Sequence, residues 1–423
     1  MDQITPKQIK KFRVIGKRPL RPDGIEKVTG KAIYGADLSA PNMLYGLLLR
    51  INEPHALIEN IDTSLAEKLP GVKSIITFKD FLKINPINRY NETLENCIAN
   101  EKVLYDGHAV AAVAAINLKI AKKALKLIDV KFKKLPFVIS IEDAMKKGAP
   151  IVSEGKKNEN VPEGFSENVV QYCSFGHGNL EEGFNESDQI IKRTFKTPSV
   201  HQGYIEPHAC LASMSNDGKA DLWCCTQGHY NVRSICSNIL KIDNSQLKVT
   251  ASEIGGGFGG KTTVFIEPIA LALSQKSGRP VKIVMNREEV FKATGPTVSS
   301  LVDVKIGMKK SGKITAAQAI IRYEGGAFPN ETYELGAQSA FAAYNLKSVK
   351  TEAYNVLTNR PAQAAYRAPG APQAIYAVES IIDELCQFFN HDPLYVRILN
   401  AAHKGTKSSY GPTFDDIGLK ATL

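Results

Sequence analysis

Residues 253–263 read EIGGGFGGKTT, and more than one chemistry fits those letters. Gly255, Gly260, Lys261 and Thr262 satisfy the G-x-x-x-x-G-K-[ST] spacing of a phosphate-cradling loop. The flanks agree with it: QLKVTASEI, ending at Ile254, reads as a strand, and VFIEPIALALSQKSG, from Val264, as a helix. Three features count against a nucleotide. Such a loop ordinarily follows the first strand of its domain, whereas many strand-like stretches precede this one. No later strand ends convincingly in a magnesium-binding aspartate; VKIVMN ends in Asn286. A bulky ring, Phe258, stands at the centre of the run. Five glycines around one phenylalanine suit a backbone that approaches a large rigid group closely, with the ring as a wall. Backbone N–H groups ahead of a helix would then face an anionic or oxo-bearing ligand. The spacing alone leaves a nucleotide, another cofactor and a purely structural loop open.

The rest of the chain narrows the classes. Its 423 residues are 43% hydrophobic and 23% charged, ordinary for a soluble protein of two or three domains. No stretch of about 18 apolar residues suggests a membrane span. The opening MDQITPKQIKKFRVIGK lacks the apolar core of a secretion leader, so a cytoplasmic location is expected. The net charge of +10 is spread over scattered pairs such as Lys122-Lys123, Lys133-Lys134 and Lys156-Lys157. No basic run is interleaved with aromatics, and nucleic acid is not an expected partner. Cys97, Cys173, Cys210, Cys224, Cys225, Cys236 and Cys386 form no C-x-x-C pair, which argues against zinc ribbons and locally bound iron–sulfur clusters. His201 and His208 flank QGYIEP and read as structural.

The pattern of elements predicts an α+β protein. Residues 13–38 read as an extended opening segment followed by strands, within a compact first domain over 1–145. The polar stretch 146–168, rich in Gly, Lys and Asn, reads as a linker. Residues 169–423 then carry a second region of strands and helices. In it, VKIVMN and the long run 301–326 read as two strands, and two helices lie near the C-terminus, the last capped by Asp392 with Pro393 at its first turn.

Five motifs occur in one order: GKRPLRPDGIEKVTGKAIYGAD, TQGHYNVR, GGGFGGK, AYRAPGAPQ and DPLYVRILN. Together they resemble the molybdenum-binding subunit of the xanthine dehydrogenase/aldehyde oxidase family, the molybdenum hydroxylases. The resemblance covers nearly the whole chain. It implies a hammerhead-like α/β domain followed by the first part of a molybdopterin-binding domain. It implies a molybdenum-molybdopterin cofactor, in a cytosine dinucleotide form, whose metal takes no direct protein ligand. By that resemblance Gln227 hydrogen-bonds an oxygen on the metal. Gly256, Gly257, Phe258 and Gly259 pack against the metal's ligands, with Phe258 as pocket wall, and Arg367 and Ala368 approach the cofactor through their backbone. Gln227, Phe258 and Arg367 are therefore the catalytic candidates and the surroundings of the metal. Lys261, on this reading, should be replaceable by Ala with only modest effect on activity.

The implied chemistry is hydroxylation of an N-heterocycle or aldehyde with oxygen from water. Electrons would pass to an iron–sulfur subunit and an FAD subunit. Purine-oxidising members continue the glycine loop with glutamate where Thr262 stands, and carry an arginine near the position of Leu335, so a purine is not the expected substrate. The family's catalytic glutamate lies beyond the stretch resembled here. A second molybdopterin subunit carrying it is expected, in a split arrangement resembling that of nicotinate dehydrogenase. The alternatives are a truncated, inactive fragment of a xanthine dehydrogenase and a P-loop nucleotide-binding protein.

Overall fold

The computed structural model describes residues 13–14, 16–85, 90–156, 158, 160–215 and 217–423. Most of the MDQITPKQIKKFRVIGK stretch, and Lys157 and Glu159 of the 146–168 segment, lie outside the described residues.

Apolar runs build the largest sheet. His108–Ala115 is buried at every position, as befits a strand covered on both faces. The sheet order is Leu247–Ala251, Ala220–Cys224, Ala209–Met214, Val281–Val284, Leu44–Ile51, His108–Ala115, Val72–Thr77. Its strands come from both sides of residues 146–168: Leu44–Ile51 runs parallel to Val281–Val284, with Leu44 opposite Val281. Helix Glu267–Ser277 packs on this sheet and is buried from Glu267 to Ser274. That explains a sequence apolar all round rather than along one stripe.

A second sheet is ordered Val169–His177, Ser348–Leu357, Ile314–Gly326, Ser300–Met308, Gln189–Thr197. Helix Ala371–Phe389 backs it through Ala374, Ala377, Val378, Ile381, Ile382 and Leu385, the i, i+3, i+4 spacing of one helix face. A small sheet, Lys102–Val103, Ala56–Asp62, Asp129–Lys134, completes the architecture among the described residues.

Several expectations need correction. The run 301–326 is a hairpin, not one strand: Ser300–Met308 pairs antiparallel with Ile314–Gly326, turning where Lys309 N–H donates to Lys313 O and Gly312 takes φ 85°. The opening segment forms the short helix Gly24–Val28 and one bridge from Tyr34 to Glu253, because its polar, turn-rich letters leave too few apolar positions for strands. Strand Ser348–Leu357 and helix Thr332–Ser339 have no counterpart among the elements expected from sequence.

What positions the site is a crossover. Strand Ala220–Cys224, helix His229–Ile239 and the parallel strand Leu247–Ala251 bring the carboxyl ends of two neighbouring strands together. In sheets with parallel strands, ligands collect there.

Candidate functional site

Gln227 follows the first of those strands and the glycine loop follows the second, which is why they meet. Gln227 N–H donates to Lys261 O at 2.8 Å. Its side-chain Oε1 accepts from Gly259 N–H at 2.9 Å and Lys261 N–H at 3.3 Å. Backbone N–H groups can only face an amide oxygen, so the carboxamide has one orientation. The Nε2 group, unpartnered among the described residues, faces away as a fixed donor. The glycines make this contact possible. A Cβ on Gly257 would stand 2.4 Å from Gln227 Oε1, and one on Gly259, at φ 102°, 2.6 Å from Ala365 O.

Lys261 answers the opening question about phosphate. Its ammonium is buried and pairs with the Glu206 carboxylate at 2.8 Å, and it lies 4.8 Å from the centroid of the Tyr204 ring. It points into the protein rather than toward a bound anion. The following helix starts only at Glu267, whose buried carboxylate already takes the N–H groups of Phe265 and Ile266. The nucleotide reading is thus corrected: the lysine is spent internally, and the N–H groups just ahead of the helix already have their acceptor in Glu267. Calorimetric titration with Mg-ATP should give no binding heat; a micromolar Kd would overturn this assignment.

A second loop closes on the first. Arg367 N–H donates to Phe258 O at 2.9 Å. Gln202 Nε2 donates to Ala365 O and Gly295 O, each at 2.9 Å. Phe258 and Ala368, at φ 54° and 66°, are non-glycine residues in the left-handed region. Each costs about 1–2 kcal/mol of backbone strain, and such strain concentrates at functional sites. The loop geometry therefore brings Gln227, Gly256, Gly257, Phe258, Gly259, Arg367 and Ala368 together. One detail departs from expectation. The Arg367 N–H is committed to Phe258, whereas those of Gly257, Phe258 and Ala368 have no acceptor among the described residues. Of these two neighbours, Ala368 rather than Arg367 offers a free backbone donor among the described residues. The Arg367 guanidinium is exposed and makes no ion pair among the described residues.

Beside the loops runs a groove of about 560 Å³ lined in part by Thr262, Thr263, Phe328, Asn330, Glu331 and Gln363. Behind them, His208 hydrogen-bonds the Tyr204 hydroxyl at 2.8 Å, and burial pushes its pKa down to about 3. Burial pushes His201 down to about 4, and its ring bonds Thr294 Oγ1 at 2.9 Å. Both rings are neutral braces. Among the described residues no three His, Cys, Asp or Glu side chains converge as a metal site.

The sequence reading missed Glu206. Its carboxylate accepts from Gly35 N–H at 3.2 Å, Gly255 N–H at 2.8 Å and Lys261 Nζ at 2.8 Å. The only available signal was an acidic residue inside the apolar QGYIEPHACL run.

Residues 161–401 match the molybdopterin cofactor-binding domain, and residues 29–136 match the α/β hammerhead domain of aldehyde oxidase and xanthine dehydrogenase. The chain is 33% identical over 386 residues to a probable xanthine dehydrogenase subunit of Bacillus subtilis, covering 90% of this chain and 50% of that one. It is 28% identical over 420 residues to the nicotinate dehydrogenase large molybdopterin subunit of Eubacterium barkeri, covering 98% and 96%. The aldehyde oxidoreductase of Desulfovibrio gigas superposes with a TM-score of 0.85 at 27% identity, over 95% of this chain and 45% of that one. The chain thus spans about half the length of the first and third of these proteins and nearly all of the second.

Proposed function

Because this chain belongs to the aldehyde oxidase and xanthine dehydrogenase family of molybdopterin-binding proteins, we propose that it holds the metal end of a molybdenum-molybdopterin cofactor in a hydroxylase acting on an N-heterocycle or aldehyde. One observation carries the reading: the Gln227 amide is fixed as an outward donor by two backbone N–H groups on its oxygen. The surroundings fit a large group bearing oxygen ligands. The cradle at Gly257 and Gly259 has no room for a Cβ, and the N–H groups of Gly257, Phe258 and Ala368 are uncommitted among the described residues. When bound, the cofactor supplies the redox chemistry, adding water-derived oxygen to an electron-poor carbon and taking up two electrons.

The chain's own residues then bind and orient. Gln227 and the free N–H groups donate toward the oxygen-bearing face. The half-exposed Phe258 ring walls the substrate side, and the free Arg367 guanidinium stands ready for an anionic portion of the cofactor. A catalytic glutamate and the remaining contacts, including those to a cytosine dinucleotide, belong to a polypeptide equivalent to the other half of the longer relatives. Iron–sulfur and FAD subunits carry the electrons away, and the assembly works in the cytoplasm. The near-complete match to the Eubacterium barkeri subunit supports a split arrangement. No helix among the described residues is long and apolar enough to cross a membrane.

Thr262 is exposed at the groove and Leu335 is half-exposed on helix Thr332–Ser339. Neither supplies the charged partners a purine ring needs. Two unpaired ring groups at about 1–3 kcal/mol each correspond to roughly 10²- to 10⁴-fold in specificity. A pyridine carboxylate or aromatic aldehyde avoids that loss. The test is to express the chain alone and with its second half, then to measure molybdenum content and rates on xanthine, hypoxanthine, nicotinate and benzaldehyde. Oxidation is expected only from the assembly, with a purine never giving the highest kcat/KM. Full activity from the lone chain, or a purine as best substrate, would refute the corresponding part.

A further inference from the structure

We propose that Glu206 is the positioning residue of the site, acting on Gln227 through Lys261. The glycine loop runs from Gly255 to Lys261, and one oxygen of Glu206 holds both ends. Oε2 accepts from Gly255 N–H at 2.8 Å and from the Lys261 ammonium at 2.8 Å. The other oxygen, Oε1, accepts from Gly35 N–H at 3.2 Å, tying the opening segment to the same point. Side-chain exposure is 0% for Lys261 and 7% for Glu206, so neither charge is shared with solvent. Such a pair holds its partners at fixed separation, because drawing either charge away leaves the other uncompensated in the interior.

The link to Gln227 is direct. Lys261 N–H is one of the two donors that fix the Gln227 amide, and Lys261 O accepts the Gln227 backbone N–H at 2.8 Å. Thr226 Oγ1 donates to the same carbonyl at 3.1 Å. Whatever moves Lys261 therefore moves both the main chain and the side chain of Gln227. Glu206 touches no reacting group; it sets the direction of one that does. A lysine that looks like a phosphate ligand in sequence is, in this fold, the counter-ion through which a distant carboxylate aims an amide.

This inference rests on the reading of Gln227 as the donor, so its test begins with a measurement that needs neither cofactor nor turnover. Amide hydrogen exchange on the full chain, cofactor-free, compares wild type, Glu206→Gln and the apolar double variant Glu206→Leu/Lys261→Met. The double variant removes both charges and is the fallback if Glu206→Gln alone fails to fold. Exchange at Gly255, Gly259 and Lys261 should accelerate at least about 10-fold in either variant, with the strand Ala220–Cys224 unaffected, as for a local opening. In the assembled enzyme, kcat per molybdenum should fall by roughly 10-fold or more, with KM changed less than about 2-fold. The double variant should regain wild-type thermal stability without regaining kcat. Unchanged protection of Gly259 and Lys261 would overturn the proposal. So would a double variant with wild-type kcat, which would make the pair merely structural. An inactive wild-type assembly would instead count against the hydroxylase reading and leave the exchange result to decide the role of Glu206.

Discussion

Replacing Gln227 by alanine should lower turnover per bound molybdenum in the assembled enzyme by roughly 10- to 1000-fold, the range for removing one preorganised donor. The argument is geometric. Gly259 N–H and Lys261 N–H hold Oε1, so the amide reaches its position already aimed and nothing must reorganise when negative charge develops opposite it. On the proposed function KM should change little, because the donor would serve the cofactor rather than the substrate. Gln227→Glu sharpens the test. It keeps an oxygen for the two backbone donors but turns the outward atom from donor to acceptor and adds a charge. It should be at least as damaging as alanine, although it is the closer match in shape. Wild-type turnover in Gln227→Ala at full molybdenum loading would remove Gln227 from the site. If Gln227→Glu were harmless, the residue would be acting through packing alone.

How much of this was legible in the letters differs by element. Strands with a continuous apolar run, such as Ala209–Met214 and His108–Ala115, could be read directly, as could helix His229–Ile239. Strand Ser348–Leu357 could not: SVKTEAYNVL carries charged and polar residues on a strand buried by its neighbours and by helix Thr332–Ser339. The pairing of Leu44–Ile51 with Val281–Val284 was equally hidden, since partners so far apart along the chain leave no local signature. At the site, the glycines, Gln227 and Arg367 were legible because a bare backbone and its flanks have recognisable spacing. The direction of each group was not. Whether Lys261 faces a ligand or the interior depends on Glu206, and nothing in a G-K-T triplet reports where a carboxylate 55 residues earlier will lie. The same holds for Arg367, whose N–H is taken by Phe258 O while that of the neighbouring Ala368 stays free among the described residues.

Lys261→Ala, whose effect on activity the sequence leads one to expect is modest, should be among the more destabilising single changes in the chain. The ammonium it removes is the charge partner of a nearly buried carboxylate, and unpairing a buried ion costs about 3–5 kcal/mol. Glu206 would keep its bonds from Gly35 N–H and Gly255 N–H, which argues for the lower end of that range. A loss near that end corresponds to a fall in Tm on the order of 3 °C for a chain of this length. Part of the loss is packing, since the lysine also lies against the Tyr204 ring. Lys261→Met, which fills the same space without charge, should be intermediate in cost. Thr262→Ala is the internal control. Its hydroxyl is exposed and bonds only Gly259 O, at 2.9 Å, so its loss should stay within about 1 kcal/mol. A nucleotide site predicts another pattern, in which both residues matter for ligand binding and neither for folding. Thermal unfolding of the full chain without any ligand separates the two: a Tm for Lys261→Ala within about 1 °C of wild type would mean that the pair with Glu206 does not hold the loop.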